Sequence, residues 1–171
     1  MTSQKLVVMS GLPASGKSTV ADGLARHFSM PVFSVDPIEA AMWRGGLPKD
    51  QTGIAAYEVA VALADEQMRL GHSVIVDAVN PVEAPRAAWR ELAARHRAQL
   101  KIVECVCADE AIHRRRVEAR RRNIEGMPEV RWERVLERRA EYEPWRDVRL
   151  VLDTSAQPPD RLLAEAIRYV T

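Results

Sequence analysis

The sequence predicts a three-layer α/β domain in which helices cover both faces of a five-stranded parallel sheet. Five apolar runs of strand length occur along the 171 residues, and stretches of helical periodicity separate them. The apolar runs are continuous rather than alternating, which is typical of parallel strands with two buried faces. Strand–helix alternation also favours right-handed crossovers within a single sheet. A chain of 171 residues fits one domain, which we assign to residues 1–171.

The individual elements follow from these runs and from local stop signals. Gly71 stands directly after a long helical pattern, where glycine commonly ends a helix. Cys105 and Cys107 are two residues apart in the fourth apolar run, so we expect two buried structural thiols on one strand face rather than a zinc site or a disulfide. The predicted strands are residues 5–10, 32–35, 73–77, 100–107 and 148–153, and the predicted helices are residues 17–28, 53–70, 82–96, 109–123, 129–142 and 158–170.

Composition limits the classes of partner. Twenty-five basic residues balance twenty-four acidic ones to leave a net charge of +1, whereas a general nucleic-acid coat would show a clear basic excess. No apolar window is long enough to span a membrane, and no basic start followed by an apolar stretch marks a secretory signal. We therefore expect a cytoplasmic protein without a membrane partner, present as a monomer or a homodimer.

Residues 11–19 read GLPASGKST and match the phosphate-binding loop pattern G-x-x-x-x-G-K-[ST]. The glycines let consecutive backbone N–H groups turn toward phosphate oxygens, and the following helix adds its positive N-terminal end. Lys17 would reach the β- and γ-phosphates, and the Ser18 hydroxyl would ligate Mg²⁺. The motif thus predicts a nucleoside triphosphate site of the P-loop NTPase class. The expected ATP-binding residues of the loop are Gly11, Pro13, Ala14, Ser15, Gly16, Lys17, Ser18 and Thr19.

Several P-loop classes are disfavoured by motifs that the sequence lacks. A GTPase would carry the guanine-reading Asn-Lys-x-Asp, which does not occur. A motor or remodelling ATPase would carry a glutamate after the aspartate that ends the third strand, but Ala78 follows Asp77. The sequence therefore favours a small kinase that transfers a phosphoryl group to a hydroxyl.

Two aspartates follow predicted strands at the edge where a parallel sheet binds ligands. Asp36 follows the second strand and could accept the proton of an attacking hydroxyl, although it could also cap a helix starting at Pro37. Asp77 ends the third strand, where it would hydrogen-bond to Ser18 or to a water on Mg²⁺. Asn80 could reach the acceptor or the γ-phosphate, and turn chemistry before Pro81 explains it equally well.

Six arginines crowd residues 109–123. Arg116 and Arg120 are four residues apart, so they would be neighbours on one helix face. Guanidinium groups suit phosphate oxygens and can stack on adenine, and a polar loop follows the cluster. We therefore expect a short helical lid over residues 114–130 that brings Arg116 and Arg120 to ATP as binding and catalytic groups, together with Lys17 and Asp36.

In their order, GLPASGKST, VFSVD, VIVDAVN and the arginine-rich helix resemble the polynucleotide-kinase-like P-loop kinases, a group that includes chloramphenicol phosphotransferase, gluconate kinase, the polynucleotide kinase domain and, more remotely, zeta toxins. The resemblance spans nearly the whole chain. It implies a five-stranded parallel sheet, Mg-ATP as the phosphoryl donor and a hydroxyl group as the acceptor.

Residue by residue, the resemblance places Lys17 and Ser18 on the loop lysine and the metal serine, Asp36 on the catalytic base and Asp77 on the metal-side aspartate. It also places Arg116 and Arg120 on the R-x-x-x-R of the lid, and residues 153–159 where that group contacts adenine. Two positions depart from the pattern, since Val79 replaces a frequent threonine and Ala14 a frequent glycine.

The acceptor is defined less sharply than the donor. Its pocket is expected between the segment after Asp36 and the helix that begins near Gly53, where aromatic rings could stack on a ligand and charged groups could orient hydroxyls. The leading hypothesis is an ATP-dependent small-molecule kinase, and the alternatives are a 5′-hydroxyl polynucleotide kinase and a non-catalytic ATP-binding module. The candidate acceptor residues are Ile38, Glu39, Trp43, Arg44, Tyr57 and Asn80.

Overall fold

The apolar runs form a single parallel sheet of five strands in a computed structural model that describes residues 4–171. The strand order is β2-β3-β1-β4-β5, and every neighbouring pair is parallel, as the sequence predicted. This order places β1 at the centre and brings the chain segments after β1, β2 and β3 to the same edge. The strands are β1 Lys5–Ser10, β2 Val32–Ser34, β3 Val74–Asp77, β4 Gln99–Val106 and β5 Leu150–Asp153.

Helices cover the sheet on both faces, so the predicted three-layer architecture is confirmed. Alternate side chains of β1 enter the two cores: Leu6 and Val8 enter one, and Val7 and Met9 enter the other. The first core also receives side chains from α3 and α4, and the second from α1 and α7. The helices are α1 Lys17–Phe28, α2 Val35–Arg44, α3 Thr52–Arg69, α4 Glu83–Arg95, α5 Glu110–Ala119, α6 Trp132–Glu141 and α7 Pro159–Val170, with a short 3-10 helix at Lys49–Gln51.

The main difference from the sequence prediction lies after β2. This strand ends at Ser34, one residue earlier than predicted, and α2 begins at Val35. Asp36 therefore occupies the first turn of α2 instead of capping it, and the extended residue before the helix is Ser34. Pro37 fits inside this first turn, where a backbone N–H would have no acceptor within the helix.

A second difference concerns the arginine-rich segment. Helix α5 ends at Ala119, four residues before the predicted end, and α6 begins at Trp132 rather than at residue 129. Residues 120–131, here called the lid loop, are irregular, and Asn123 and Gly126 within them have φ angles of 52° and 83°. The helical part of the predicted lid is thus α5, and the lid loop supplies the rest.

The helix end at Gly71 and the burial of the two cysteines are confirmed, but β4 ends at Val106, so Cys107 lies just after the strand rather than on its face. Gly71 has a φ of 94° after α3, and its N–H bonds to the carbonyl of Met68 while the N–H of His72 bonds to that of Gln67. This pair of bonds is the Schellman motif, for which glycine is preferred. Cys105 and Cys107 are buried free thiols, and burial raises the pKa of Cys105 to about 12.

No helix within residues 4–171 is long and apolar enough to cross a membrane.

Candidate active site

The phosphate-binding loop joins β1 to α1 and holds three residues with positive φ. Gly11 has a φ of 140°, and a Cβ atom there would lie 2.2 Å from the carbonyl oxygen of Cys105. Gly16 has a φ of 91°, and its Cβ would meet Thr154 at 3.1 Å. Ala14 adopts a φ of 60°, so it takes the left-handed conformation that a glycine would adopt more easily. Gly11 and Gly16 are therefore required by the backbone conformation of the loop, in which a residue with a Cβ would be strained.

Lys17, Ser18 and Asp77 come together where the loop meets the end of β3. Lys17 is only 3% exposed, and its Nζ lies 3.8 Å from Asp77 Oδ1. The Ser18 hydroxyl donates a hydrogen bond of 2.7 Å to Asp77 Oδ2. Among the described residues, Asp77 Oδ1 is buried without a hydrogen-bond partner. Its charge is balanced by the Lys17 ammonium at 3.8 Å, but the oxygen can still accept a hydrogen bond or bind a second cation.

The same oxygen atoms suit Mg²⁺. This cation prefers oxygen ligands, keeps several waters and takes few ligands from the protein. Over residues 4–171 there is no cluster of three or more His, Cys, Asp or Glu side chains of the kind that would form an all-protein metal cage. Ser18 Oγ and Asp77 Oδ1, which accepts no hydrogen bond within the described chain, therefore fit a Mg²⁺ ion that is also held by phosphate oxygens.

A cleft of about 460 Å³ opens beside the loop. This volume lies in the range of small-molecule and cofactor pockets. Gly11 and Ser15 line a second cavity of about 370 Å³ behind the loop instead, and Pro13 lines neither cavity. The first cleft is lined by Ala14, Gly16, Lys17, Ser18, Thr19, Val20, Arg116, Ala119, Arg120, Thr154, Pro159 and Leu162.

Arg116 forms one wall of this cleft and is fixed in place by Thr154. Its Nη1 and Nη2 donate to Thr154 Oγ1 and to the Thr154 carbonyl, both at 2.7 Å. Thr154 Oγ1 in turn donates to the Ser15 carbonyl at 2.9 Å. Thr154 lies within residues 153–159, which the family resemblance placed at adenine, but no signal in the sequence marked it as the partner of Arg116. Arg116 is thus anchored to the loop that precedes Pro159.

Arg120 also lines the cleft, but its guanidinium is free. No hydrogen bond or ion pair joins this side chain to another residue of the described chain. Burial lowers its pKa and the charge of Arg122 adds to this effect, whereas Asp36 and Asp77 act in the opposite direction. A half-buried, uncommitted cation beside two aspartates is available to an incoming phosphate.

Asp36 is held by a lid-loop residue that the sequence analysis did not select. Arg122 Nη2 donates to Asp36 Oδ2 in a close ion pair. Burial acts to raise the pKa of Asp36, but the charges of Lys17, Arg122 and Arg120 and the Arg122 hydrogen bond outweigh it, so the pKa is lowered. Asp36 is therefore an ionised carboxylate at neutral pH. Membership in the arginine cluster was the only signal in the sequence for Arg122.

Glu39 and Trp43 lie on α2 and meet at Thr52, the first residue of α3. Trp43 Nε1 donates to Thr52 Oγ1 at 2.7 Å, and Glu39 Oε1 lies 3.0 Å from the same hydroxyl. Lys49 Nζ sits 4.7 Å from the centre of the Trp43 ring. These contacts fix the start of α3 against α2 and involve the polar atom of Trp43 in an internal bond.

Arg44 ties α2 to the lid loop. The side chain is exposed, and its Nη1 donates to the carbonyl of Glu125 at 2.5 Å. Gly126 packs closely on the same side chain, because a Cβ there would lie 3.1 Å from Arg44 Cγ. Together with the Asp36–Arg122 pair, this contact holds the lid loop against α2.

Asn80 and Tyr57 bond to the protein interior. Asn80 is fully buried, with Nδ2 donating to the Met9 carbonyl at 3.0 Å and Oδ1 accepting from Trp89 Nε1 at 2.9 Å. Its backbone N–H donates to the Tyr57 hydroxyl at 3.1 Å. Burial raises the pKa of Tyr57 to about 12, so this hydroxyl is neutral. Both side chains thus position the segment after β3, and Arg86 reinforces the turn by donating to the Asn80 carbonyl at 3.0 Å.

His113 supports the phosphate-binding loop from below. Its Nε2 lies 2.8 Å from the Pro13 carbonyl, while Arg139 Nη2 approaches its Nδ1 at 3.3 Å. Burial lowers the pKa of His113, and the neighbouring arginines add to that effect against the Pro13 bond. A neutral ring with its proton on Nε2 satisfies both contacts. Nothing in the local sequence around His113 distinguishes it from an ordinary helix residue.

Solved structures with the same fold include several kinases. A sugar kinase from Janibacter sp. is 21% identical with a TM-score of 0.72 over 98% of this chain and 94% of that one. A gluconokinase from Sinorhizobium meliloti is 20% identical with a TM-score of 0.68 over 99% and 93%. The Mycobacterium tuberculosis APS kinase, in complex with AMPPNP and APS, is 21% identical with a TM-score of 0.71 over 99% and 98%. At these identities the likeness establishes the fold.

Among curated proteins, no sequence matches this chain. The profile of a protein family described as AAA domain matches residues 6–144. This match runs from β1 to just beyond α6, and it includes the phosphate-binding loop, Asp36, Asp77 and the lid loop. The chain therefore belongs to the AAA domain family.

Proposed function

We propose that this protein transfers the γ-phosphoryl group of Mg-ATP to a hydroxyl group of a small molecule. The observation that carries the proposal is the position of Asp36, an ionised carboxylate close enough to Lys17 and Arg120 for their charges to lower its pKa. An ATPase needs no carboxylate at this position to receive an alcohol proton, whereas a kinase does. The kinase neighbours support the same assignment.

ATP would occupy the 460 Å³ cleft, with its phosphates on the loop and its base toward Pro159. Backbone N–H groups of the loop and the α1 N-terminus would bind the phosphate oxygens, and Lys17 would bridge to the transferred group. Arg116, fixed by Thr154, would contact the nucleotide side of the cleft. Arg120, which is free, would be the lid arginine that neutralises charge on the transferred phosphoryl group.

Ser18 and Asp77 would hold the magnesium ion. When bound, this ion supplies charge neutralisation on the β- and γ-phosphate oxygens. Asp77 keeps the Ser18 hydroxyl oriented through the 2.7 Å hydrogen bond.

In the transfer step, the acceptor oxygen forms a bond to the γ-phosphorus while the bond from that phosphorus to the bridging oxygen breaks. The electron pair of the broken bond stays on ADP, and the hydroxyl proton passes to Asp36. Because the pKa of Asp36 is low, it orients the hydroxyl and accepts the proton late, as a loose transition state requires. Most of the rate acceleration would come from positioning and electrostatic stabilisation.

The experiment is a panel of hydroxyl acceptors incubated with Mg-ATP, with ADP formation and acceptor phosphorylation both measured. The panel contains sugars, sugar acids, nucleosides, an aminoglycoside and a 5′-hydroxyl oligonucleotide, so that the polynucleotide kinase alternative is tested alongside. The proposal predicts phosphorylation of a small acceptor by the wild-type protein and none by Lys17→Ala. Tight nucleotide binding without transfer to any acceptor would instead indicate a non-catalytic ATP-binding module.

A further inference from the structure

Arg122 has more hydrogen-bonding capacity than its protein partners use. Its side chain is only 9% exposed. Nη2 donates to Asp36, and Nη1 approaches the Met127 thioether at 3.6 Å, which is a weak acceptor. Nε makes no hydrogen bond to another residue of the described chain, and it is not one of the fully buried side-chain atoms that lack a partner. A guanidinium carries five N–H donors in a rigid fork, so Arg122 keeps at least its Nε donor accessible from outside the protein and open to a ligand.

Positive charge around Asp36 exceeds the negative charge available to balance it. Lys17, Arg120 and Arg122 all act on this carboxylate. The other carboxylate beside them is Asp77, which is paired with Lys17. Glu129 of the lid loop accepts a hydrogen bond from the backbone N–H of Arg122 at 2.7 Å rather than from its guanidinium. Glu39 is engaged with Thr52.

ATP does not account for Arg122. Lys17 and Arg120 line the nucleotide cleft, but Arg122 does not. Its guanidinium lies on the Asp36 side, where the acceptor hydroxyl must approach. The excess cation therefore belongs to the acceptor half of the site.

We propose that the acceptor carries a carboxylate or phosphate group, which Arg122 binds with the donors that Asp36 leaves free. This inference rests on the proposed kinase function and names the class of its substrate. Arginine binds both anions through two parallel N–H···O bonds, and burial strengthens such bonds. The substrate class is a small hydroxy acid or a hydroxyl-bearing phosphate ester.

The pairing with Asp36 adds a geometric condition. Because Arg122 contacts Asp36 directly, the hydroxyl held by Asp36 and the anion held by Arg122 must belong to neighbouring parts of one molecule. Arg122 is then a specificity-determining residue, and it also keeps Asp36 in position. These two roles make different kinetic predictions.

The experiment compares matched acceptors that differ in an anionic group: D-glycerate and sn-glycerol 3-phosphate against glycerol, and D-gluconate against D-glucitol. Wild type, Arg122→Gln, Arg122→Lys and the control Arg121→Gln are tested. Arg121 is exposed in the same loop and donates only to the backbone carbonyls of Glu118 and Arg120. Isothermal titration calorimetry of each acceptor into the protein with bound ADP and Mg²⁺ measures the dissociation constant of the acceptor without turnover.

The wild type should bind an anionic acceptor roughly 10- to 100-fold more tightly than its neutral counterpart, the value of one or two charge-assisted hydrogen bonds. Arg122→Gln should remove this preference through a higher KM with kcat changed only a few-fold, and Arg122→Lys should restore part of it. Arg121→Gln should behave as the wild type. Comparing the affinities for glycerate and for glycerol 3-phosphate shows whether the protein recognises a carboxylate or a phosphate group.

Equal binding of anionic and neutral acceptors by the wild type would overturn the inference, and this result does not depend on how the variants fold. It would also be overturned if Arg122→Gln lowered kcat equally for both classes, since Arg122 would then act only through Asp36. If instead the kinase proposal were wrong, anionic acceptors would still bind in the calorimeter, but no phosphoryl group would be transferred to them from ATP.

Discussion

Arg122 donates a hydrogen bond to Asp36 although 86 residues separate them in sequence. The bond joins the lid loop to the first turn of α2, and the contact from Arg44 to the Glu125 carbonyl joins the same two segments a second time. The lid loop is therefore held over the side of the site where an acceptor would bind. Asp36, proposed to accept the hydroxyl proton, and Arg122, proposed to recognise the acceptor, are thus directly hydrogen-bonded to each other.

Replacing Asp36 with asparagine should separate catalysis from ATP binding. Asp36→Asn retains the shape of the side chain but cannot take a proton, so phosphoryl transfer should fall by at least ~100-fold, the lower end for a lost general base. The dissociation constant for ATP, measured by titration calorimetry, should change little. Much weaker ATP binding would place Asp36 on the metal side of the site instead.

The Asp36–Arg122 pair should stabilise the fold in a pH-dependent way. Its two side chains are partly buried, so Arg122→Gln should cost about 1–3 kcal/mol at pH 7, between the values for surface and buried pairs. The pKa of Asp36 is lower in the folded protein than the ~3.9 of a free aspartate, so the stabilisation is complete above that value and is lost as the pH falls through the folded pKa.

Urea unfolding of wild type and Arg122→Gln at pH 7, 5 and 3 measures this difference in the free energy of unfolding. The difference should persist at pH 5 and shrink at pH 3. A difference that grew toward low pH would mean that Asp36 is not the partner that ionises, and Arg121→Gln provides the matched control on the same loop.

Asp77→Asn should affect the magnesium-dependent part of nucleotide binding. The amide can still accept the Ser18 hydrogen bond, but the substitution removes the negative charge that faces Lys17 and would face the metal. We expect a loss of roughly 10- to 100-fold in ADP affinity with Mg²⁺ present, as for other groups that hold a metal's shell, and little change in EDTA. Equal weakening in both buffers would assign Asp77 to loop structure alone.

Gly11 and Gly46 form a matched pair for testing the loop. Both have positive φ, but a Cβ at Gly46 would meet nothing within 4 Å, whereas at Gly11 it would overlap the Cys105 carbonyl. Gly46→Ala should cost about 1 kcal/mol from backbone strain alone. Gly11→Ala should cost clearly more in thermal unfolding and should abolish ATP binding. Equal losses would show that the tight packing at Gly11 does not constrain the loop.

The sheet and the phosphate-binding loop could be predicted because their signals are local. A continuous apolar run shows a strand buried on both faces, and the loop motif has the same spacing wherever it occurs. Asp77 followed from its place at the end of such a run. The order of the strands confirms that these local patterns were interpreted correctly.

The Arg122–Asp36 contact could not be predicted, because helical periodicity suggested the wrong geometry for the arginines. On a continuous helix, Arg120 and Arg122 would point in nearly opposite directions, since residues two apart do not share a face. The helix ends at Ala119 and the chain becomes extended at Arg120. Arg122 therefore contacts Asp36, while Arg120 stays near enough for its charge to lower the pKa of that carboxylate. The end of the helix at Ala119 is seen only in the folded structure.

The candidate acceptor residues show a second limit of prediction from sequence. The sequence indicates which polar and aromatic groups follow β2 and β3 but not which way they point. Asn80 stands where a ligand contact was expected, yet its amide bonds to Met9 and Trp89 inside the protein. The left-handed φ of 51° at Asn80 reflects the turn before Pro81.

The most direct test of the central claim follows the γ-phosphate itself. The protein would be incubated with γ-³²P-labelled ATP, Mg²⁺ and each acceptor pair, and the products would be separated by thin-layer chromatography. The wild type should transfer the label to an anionic acceptor, and Lys17→Ala should transfer none. Release of the label only as inorganic phosphate, unaffected by any acceptor, would contradict phosphoryl transfer to a hydroxyl and would show a hydrolase instead.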